Sequence, residues 1–404
     1  AQRVIDGYVA DHDVPVRYGQ YLDRAEMEGG RIRRIAMLGG LTVAARCFVD
    51  ATYEGDLLAA AGVSYTVGRE SNEQYGEQLN GVQCRDTHQF SHPVDPYVTP
   101  GDPSSGLLPQ VEPDDLTERQ GVGDRTVQAY NFRVCMTDDP GLKIPWEKPA
   151  GFDPMQYELA TRWFNSGKDH YNESLRDPAH PQVGLPVPAK FDVLPNRTPA
   201  GHYKPDTNNH GPISSDFIGA NDDYPEADYE RRERIFQQHV AYQRGFYWHV
   251  ANCPDIPERY REAYSHWGLA ADQFEDTGHW PHQLYVREAR RMVADYVITE
   301  HDCRGAVRPD DPVGMASYTM DSHNCSRFVK VEGGVHRVLN EGDVQVPPTD
   351  PYPVSYRAVI PKRGECANLF VPVCLSASHI AFGSARMEPV FMLLGESVAR
   401  AAAI

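Results

Sequence analysis

Residues able to do chemistry gather at three places in this chain. Near the start, Asp50-Ala51-Thr52-Tyr53-Glu54-Gly55-Asp56 joins a strand-like run to the short Leu/Ala stretch Leu57–Ala61, which stops at Gly62. Asp56 reads as the helix N-cap and Gly62 as its C-terminal stop. A loop between a strand end and a helix start offers backbone N–H groups and a positive dipole end to an anionic ligand. Its plain alternative is a capped turn with no ligand. Near the end, Ser376-Ala377-Ser378-His379 closes an apolar run. Gly383-Ser384-Ala385-Arg386-Met387-Glu388 then reads as a small-residue loop opening a helix, with Pro389 in the first turn. In the middle stand Met320-Asp321-Ser322-His323-Asn324, Arg287, and the polar group Asn208-Asn209-His210 with His202.

Histidine titrates near neutrality, so His379 and His323 are candidates to move protons. The alternative for each is a hydrogen-bonded structural histidine. Asn209 and His210 would line a polar substrate pocket, or simply hold their own loop. Arg287 would bind an anionic or hydroxyl-rich substrate, or serve in an ion pair.

These groups need elements to position them. Residues 3–10 read as a helix. Val14–Arg24, Arg31–Leu38 and Leu41–Val49 read as three strands punctuated by Gly29-Gly30 and Gly39-Gly40, an antiparallel meander. Residues 80–230 are rich in Pro, Gly, Asp and Asn and predict irregular structure, with a strand-like alternation at Thr126–Thr137. Helical spacing marks Tyr229–Val250 and Leu284–Val297. Tyr356–Ile360 reads as a short strand. Asn368–Cys374 is continuously apolar apart from its first residue, as in a strand buried on both faces of a parallel sheet. Two strand–loop–helix units therefore lie at opposite ends of the chain. Ligands of doubly wound folds bind outside the carboxyl ends of such strands. If the two units share a sheet, everything between them is an inserted second lobe.

Composition removes several alternatives. The 404 residues carry a formal charge of −18, which repels phosphate backbones and argues against nucleic acid. The cluster Arg231, Arg232 and Arg234 reads as a solvated helix face. Eight cysteines include no C-x-x-C pair, against a zinc ribbon or an iron–sulfur cluster; their spread suits free thiols, with a few disulfides as the alternative. Sixteen histidines include no H-E-x-x-H, against a metal hydrolase. No apolar run approaches a membrane-helix length. Trp248, Trp267 and Trp280 read as core, or as a platform for a sugar ring. The residues do not fix a compartment.

Phe48 to Leu57 resembles the second conserved motif of glutathione-reductase-like flavoproteins, with the closer likeness to bacterial FAD-dependent oxidoreductases related to heterodisulfide reductase A. Asn368–Ala402, with S-A-S-H at 376–379 and R-M-E-P at 386–389, resembles the terminal flavin motif of that family. Val127–Thr137, Asn208–Gly219 and Tyr285–Asn324 are also similar to it. The resemblance implies an α/β fold: a partial glutathione-reductase-type, Rossmann-like FAD lobe (1–70 with 356–404) and a large inserted α+β substrate lobe (71–355). It implies FAD as cofactor. Asp50, Ala51, Thr52, Gly55 and Asp56 would follow the ribityl and pyrophosphate, and Ser376, Ala377, Arg386, Met387 and Glu388 would surround the flavin ring. The implied reaction is hydride transfer between a small polar substrate, carbohydrate-like ones included, and the flavin, with an unspecified electron acceptor. His379 or His323 would carry the accompanying proton. The family's first unit, with its G-x-G-x-x-G, has no match; Gly121-Val122-Gly123 reads as a loop. The expectation is therefore an N-terminally truncated form, and a non-catalytic binding or scaffold protein is the rival class.

Overall fold

The structure, a computed structural model, describes residues 2–166, 188, 197–209 and 211–404. The substrate-pocket candidate His210 lies outside the described residues. Helix α1 (Gln2–Asp11) precedes strands β1 (Leu22–Glu28), β2 (Arg31–Met37) and β3 (Thr42–Val43), a three-stranded antiparallel sheet in sequence order. Gly29 and Gly30 both take positive φ, 57° and 69°, as a two-residue hairpin turn demands. The meander begins later than the sequence predicts. Val14–Tyr21 is exposed and interrupted by Pro15 and by Gly19 at φ 65°, so this stretch is no strand.

Strand β4 (Phe48–Val49) pairs in parallel with Leu369–Phe370, so the two ends of the chain do share a sheet. The side chain of Asn368 fastens the junction. Its Oδ1 accepts from the Ile32 amide at 2.9 Å, and its Nδ2 donates to the carbonyls of Ile32 and Arg46 at 3.0 and 3.1 Å. Helix α2 (Asp56–Ala60) follows β4 and buries Leu57 and Leu58. Burial of each leucine stabilises by ~2–3 kcal/mol.

Three large packed clusters and a small one of Val82, Leu116 and Phe328 form the core. One spans residues 67–338 around the helix Tyr229–Asn252 and encloses Trp267 and Trp280. A second joins residues 298–359 to the helices His379–Ala385 and Glu388–Ala403. The third unites Ile32, Phe48 and Leu58 with Met292, Leu369 and Val371.

Three predicted elements differ. Leu284–Val297 is not a helix: it runs extended, and Arg291–Met292 pairs with Tyr65–Thr66. Val286–Met292 is buried throughout, contributes Val286 and Ala289 to one core and Met292 to another, and so has no solvent face for a helix to present. Tyr356–Ile360 starts as a 3-10 turn capped by Ser355, while the strand lies before it at Tyr352–Ser355. Gly383-Ser384-Ala385 is no loop but the end of the helix His379–Ala385. A Cβ on Gly383 would stand 2.4 Å from the Asp321 carbonyl, so the small residues serve a close helix–strand approach. The strand-like Thr126–Thr137 is extended and largely buried, with a ladder only at Met136–Thr137. All eight cysteines are free.

Candidate functional site

The loop after β4 is organised by Asp50, which is 2% exposed. Its Oδ1 accepts from the Thr52 amide and hydroxyl at 3.1 and 2.6 Å, and its Oδ2 accepts from the Leu58 amide at 2.9 Å. Asp50, not Asp56, thus takes an open N–H group of α2, that of Leu58. Gly55 sits at φ 69°, and a Cβ there would meet Leu58 Cδ2 at 2.8 Å. At the other end of α2, Gly62 donates to Ala59 and Val63 to Leu58, the expected glycine stop.

Asp56 is freed for other work. It accepts from Arg232 at 2.6 and 2.8 Å and from Arg290 at 2.8 Å. Burial raises its pKa, but the two guanidinium groups outweigh that and hold it below the ordinary aspartate range. Arg232 is therefore a buried ion-pair residue, which corrects its reading as part of a solvated face. Burial pushes Glu54 upward; its Oε1 accepts from the Tyr224 hydroxyl at 3.1 Å. A cavity of about 930 Å³ opens here, walled by Val49, Asp50, Thr52, Glu54, Tyr229 and Phe236 among others.

The terminal segment divides into support and surface. Ser376 and Ala377 are at most 2% exposed. Ser376 Oγ accepts from the Ala294 amide, and the Ala377 carbonyl accepts from Arg291 Nε at 3.0 Å. Both hold the extended segment 284–297 in place. Met387 and Glu388 start the helix Glu388–Ala403, and Phe391 on that helix meets the Tyr53 ring edge-on at 6.2 Å. Burial, then the Glu388 carboxylate, raises the Tyr53 hydroxyl. Cys374 Sγ lies 3.4 Å from the carbonyls of Thr52 and Tyr53. The two predicted cofactor segments are thus neighbours, with Ala51 and Thr52 exposed beside them.

The two candidate histidines have different surroundings. His379 is 1% exposed at the start of its helix. Its Nδ1–H donates to Glu288 at 2.8 Å and its amide donates to Glu70 at 2.9 Å. Arg291 bridges both carboxylates. Burial, reinforced by Arg291 and Arg69, pushes the ring down to about 3, so it is neutral despite the adjacent glutamate, whose charge Arg291 already balances.

His323 sits between two aspartates. Its Nδ1 is 3.1 Å from Asp216 and its Nε2 is 3.6 Å from Asp321, so a proton on either nitrogen faces an acceptor. Arg287 donates to Asp216 at 3.0 Å and to Asn208 at 2.9 Å. Arg386 donates to Asp321 at 2.9 Å. Burial raises both aspartates, but Arg287 and His323 lower Asp216, and His323 with Arg386 lowers Asp321 further still. The two networks touch through Gln128, which donates to Glu288 at 2.6 Å and accepts from the His323 amide at 3.2 Å.

The predicted residues His323, Arg287, Arg386 and Asn209 are thus drawn into one neighbourhood. Asn209 lies 3.2 Å from His88 Nδ1, which itself donates to Asp343 at 2.8 Å. Burial lowers His88, but Asp343, then Asp216 and Asp321, outweigh it and raise the ring. His88, Asp216, Asp321 and Asp343 were missed by sequence reasoning. For Asp321 a signal existed: it stands two residues before His323, hence on the same face of an extended strand. His88, a non-glycine at φ 47°, carried no such signal.

A cavity at the carboxyl end of a parallel-paired strand, bordered by the loop-to-helix turn from Asp50 to Leu57 and by the start of the helix Tyr229–Asn252, defines an α/β protein built to hold a ligand. A family model described as FAD dependent oxidoreductase matches residues 1–404, and the chain belongs to that family; its cofactor is FAD. No curated protein matches the chain, and no solved structure does. Among the described residues no helix is long and apolar enough to cross a membrane.

The residues present fit such a group. Outside the lining of that cavity, in the His323 cluster, Nε of Arg287 and Nε of Arg386 are buried without a hydrogen-bond acceptor among the described residues, as donors awaiting a ligand oxygen or nitrogen would be. The cavity wall is rich in carboxylates, Asp50, Glu54, Asp56, Glu230 and Glu233, against two arginines, Arg232, committed to Asp56, and Arg234, 4.0 Å from Glu230. Such a wall suits hydroxyl groups better than a diphosphate.

Proposed function

We propose that this chain exchanges electrons between FAD and a small polar substrate, with His323 moving the proton. In this reading Asp50, Ala51, Thr52, Gly55 and Asp56 shape the wall along the ribityl chain. Met387 and Glu388 border the ring, and Ser376 and Ala377 support that border from behind. Residues 1–70 and 356–404 form the flavin lobe, and 71–355 the substrate lobe. FAD, when bound, supplies the two-electron chemistry. The single observation that carries the proposal is the chain Arg386–Asp321–His323: the residue next to the flavin border holds the aspartate that faces the candidate proton carrier.

The protein's own groups have distinct tasks. Asp216 and Asp321 orient the His323 ring and accept its proton-bearing edges. Arg287 and Arg386 offer their open Nε–H donors to oxygens of the substrate or ring. Asn209, beside His88, lines the same neighbourhood. His379, fully enclosed and neutral, is a positioning residue that holds Glu288, Glu70 and the segment carrying Arg287. The test is to purify the chain with FAD and mix it anaerobically with hydroxy acids and simple sugars while following flavin absorbance. Bleaching in the native chain that slows in His323→Gln with FAD retained supports the reading. A folded chain that takes up no FAD overturns it in favour of a binding or scaffold role.

A further inference from the structure

Seven arginines are buried among the described residues. Six of them, Arg69, Arg232, Arg287, Arg290, Arg291 and Arg386, have a carboxylate partner. Arg327 does not. Its Nε donates to Asn340 Oδ1 at 2.9 Å, one terminal nitrogen donates to the Pro212 carbonyl at 3.0 Å, and the other reaches Gln110 Oε1 at 3.4 Å. All three acceptors are neutral. A guanidinium has five N–H groups, so each terminal nitrogen keeps one in hand. Buried charges are normally paired, and an unpaired one marks a missing partner.

Arg327 lines a cleft of about 410 Å³, whose lining includes none of His323, Asp321, Arg287 and Arg386. Phe217 forms one wall, stacked on Tyr242 with centroids 4.1 Å apart. Val111 and Ile218 add apolar surface. Gln110, which faces the guanidinium, holds a left-handed backbone at φ 66°, the kind of strain found at ligand clamps. Burial pushes Arg327 down to about 10, which leaves it charged at neutral pH.

We propose that this cleft binds a small organic monocarboxylate, its carboxylate on Arg327 and its apolar or aromatic body against Phe217. Two N–H groups on the two terminal nitrogens match the two oxygens of a carboxylate. A single cation balances one negative charge, and Glu112 on the cleft's lining opposes a more highly charged anion. The site needs no flavin, so its fate is separate from that of the redox proposal. The occupant also reaches the loop that carries Asp216, since Phe217 is the next residue and Arg327 holds Pro212.

The experiment is calorimetric titration of the full chain with benzoate, acetate and inorganic phosphate at constant ionic strength. Benzoate is expected to bind, acetate about tenfold more weakly, and phosphate not measurably. Phe217→Ala should weaken benzoate by about tenfold and leave acetate unchanged. Gln110→Glu places a carboxylate beside the guanidinium, so it should raise the melting temperature and abolish benzoate binding. This variant stands in for Arg327→Gln should the latter fail to fold. Absence of benzoate binding in the native chain, tighter phosphate than benzoate, or undiminished binding in Gln110→Glu would each overturn the proposal.

Discussion

Arg386 donates to Asp321 at 2.9 Å across 65 residues of sequence, and Asp321 in turn stands 3.6 Å from His323. One ion pair thereby ties the C-terminal segment to the strand Met320–Ser322, which ends one residue before the candidate proton mover. Arg386 is 4% exposed, so the tie is made in a place where charge interactions are weakly screened.

His323→Gln keeps the ring's approximate volume but cannot carry a proton. The expected outcome is a fall in kcat of ~10²–10⁴-fold, the usual worth of a positioned acid–base group. FAD content should be unchanged. Loss of FAD together with activity would instead assign His323 a structural task.

Asp56→Asn leaves Arg232 and Arg290 without their shared carboxylate. Removing one member of a buried pair costs roughly 3 kcal/mol, discounted to ~2 kcal/mol because the Asp56 side chain is 23% exposed. Chemical denaturation of the variant measures it. Because the folded pKa of Asp56 is depressed, its contribution is complete above the unfolded value of about 3.9 and is lost as pH falls through the lower folded value. The difference between native and variant should therefore shrink only in strong acid.

Gly383→Ala puts a methyl group where the Asp321 carbonyl already stands, at 2.4 Å. The helix His379–Ala385 must move off the strand Met320–Ser322, at a cost of ~1–3 kcal/mol. Displacement of Asp321 should also lower kcat. A variant with native melting temperature and native rate would show that the helix–strand approach has slack.

Acid stability has its own signature. Burial holds His379 down at about 3, and His239 and His249 at about 4. Each is neutral when folded and takes a proton on unfolding once pH drops below about 6.5. Stability is thus complete above that pH and falls toward the folded values, by up to ~1.4 kcal/mol per pH unit for each histidine. Denaturant titrations between pH 7 and 5 should show this slope, and His379→Gln should remove one proton's worth of it.

Parts of this arrangement were legible in the sequence. Gly29-Gly30 marked a hairpin, Gly62 a helix end, and Asn368–Cys374 a buried strand segment, because each depends on local backbone freedom or on an unbroken apolar run. Tyr229–Val250 was readable because its helix does present one face to water. Leu284–Val297 misled for the same reason reversed. Its apolar spacing matched a helix, but the interleaved charges are buried in ion pairs with Asp56, Asp216 and Glu70.

By itself, the sequence determined the chemical inventory: histidines, arginines and an acidic glycine loop in places where turns and short strands could hold them. Only the tertiary structure decided which histidine faces two aspartates and which is sealed against Glu288, and that Asp50 rather than Asp56 takes the open Leu58 amide of the helix. Those outcomes rest on partners tens to hundreds of residues away, such as Asp216 for His323 at a separation of 107. Desolvation and charge coupling vary with distance in space, and spacing along the chain carries no measure of either.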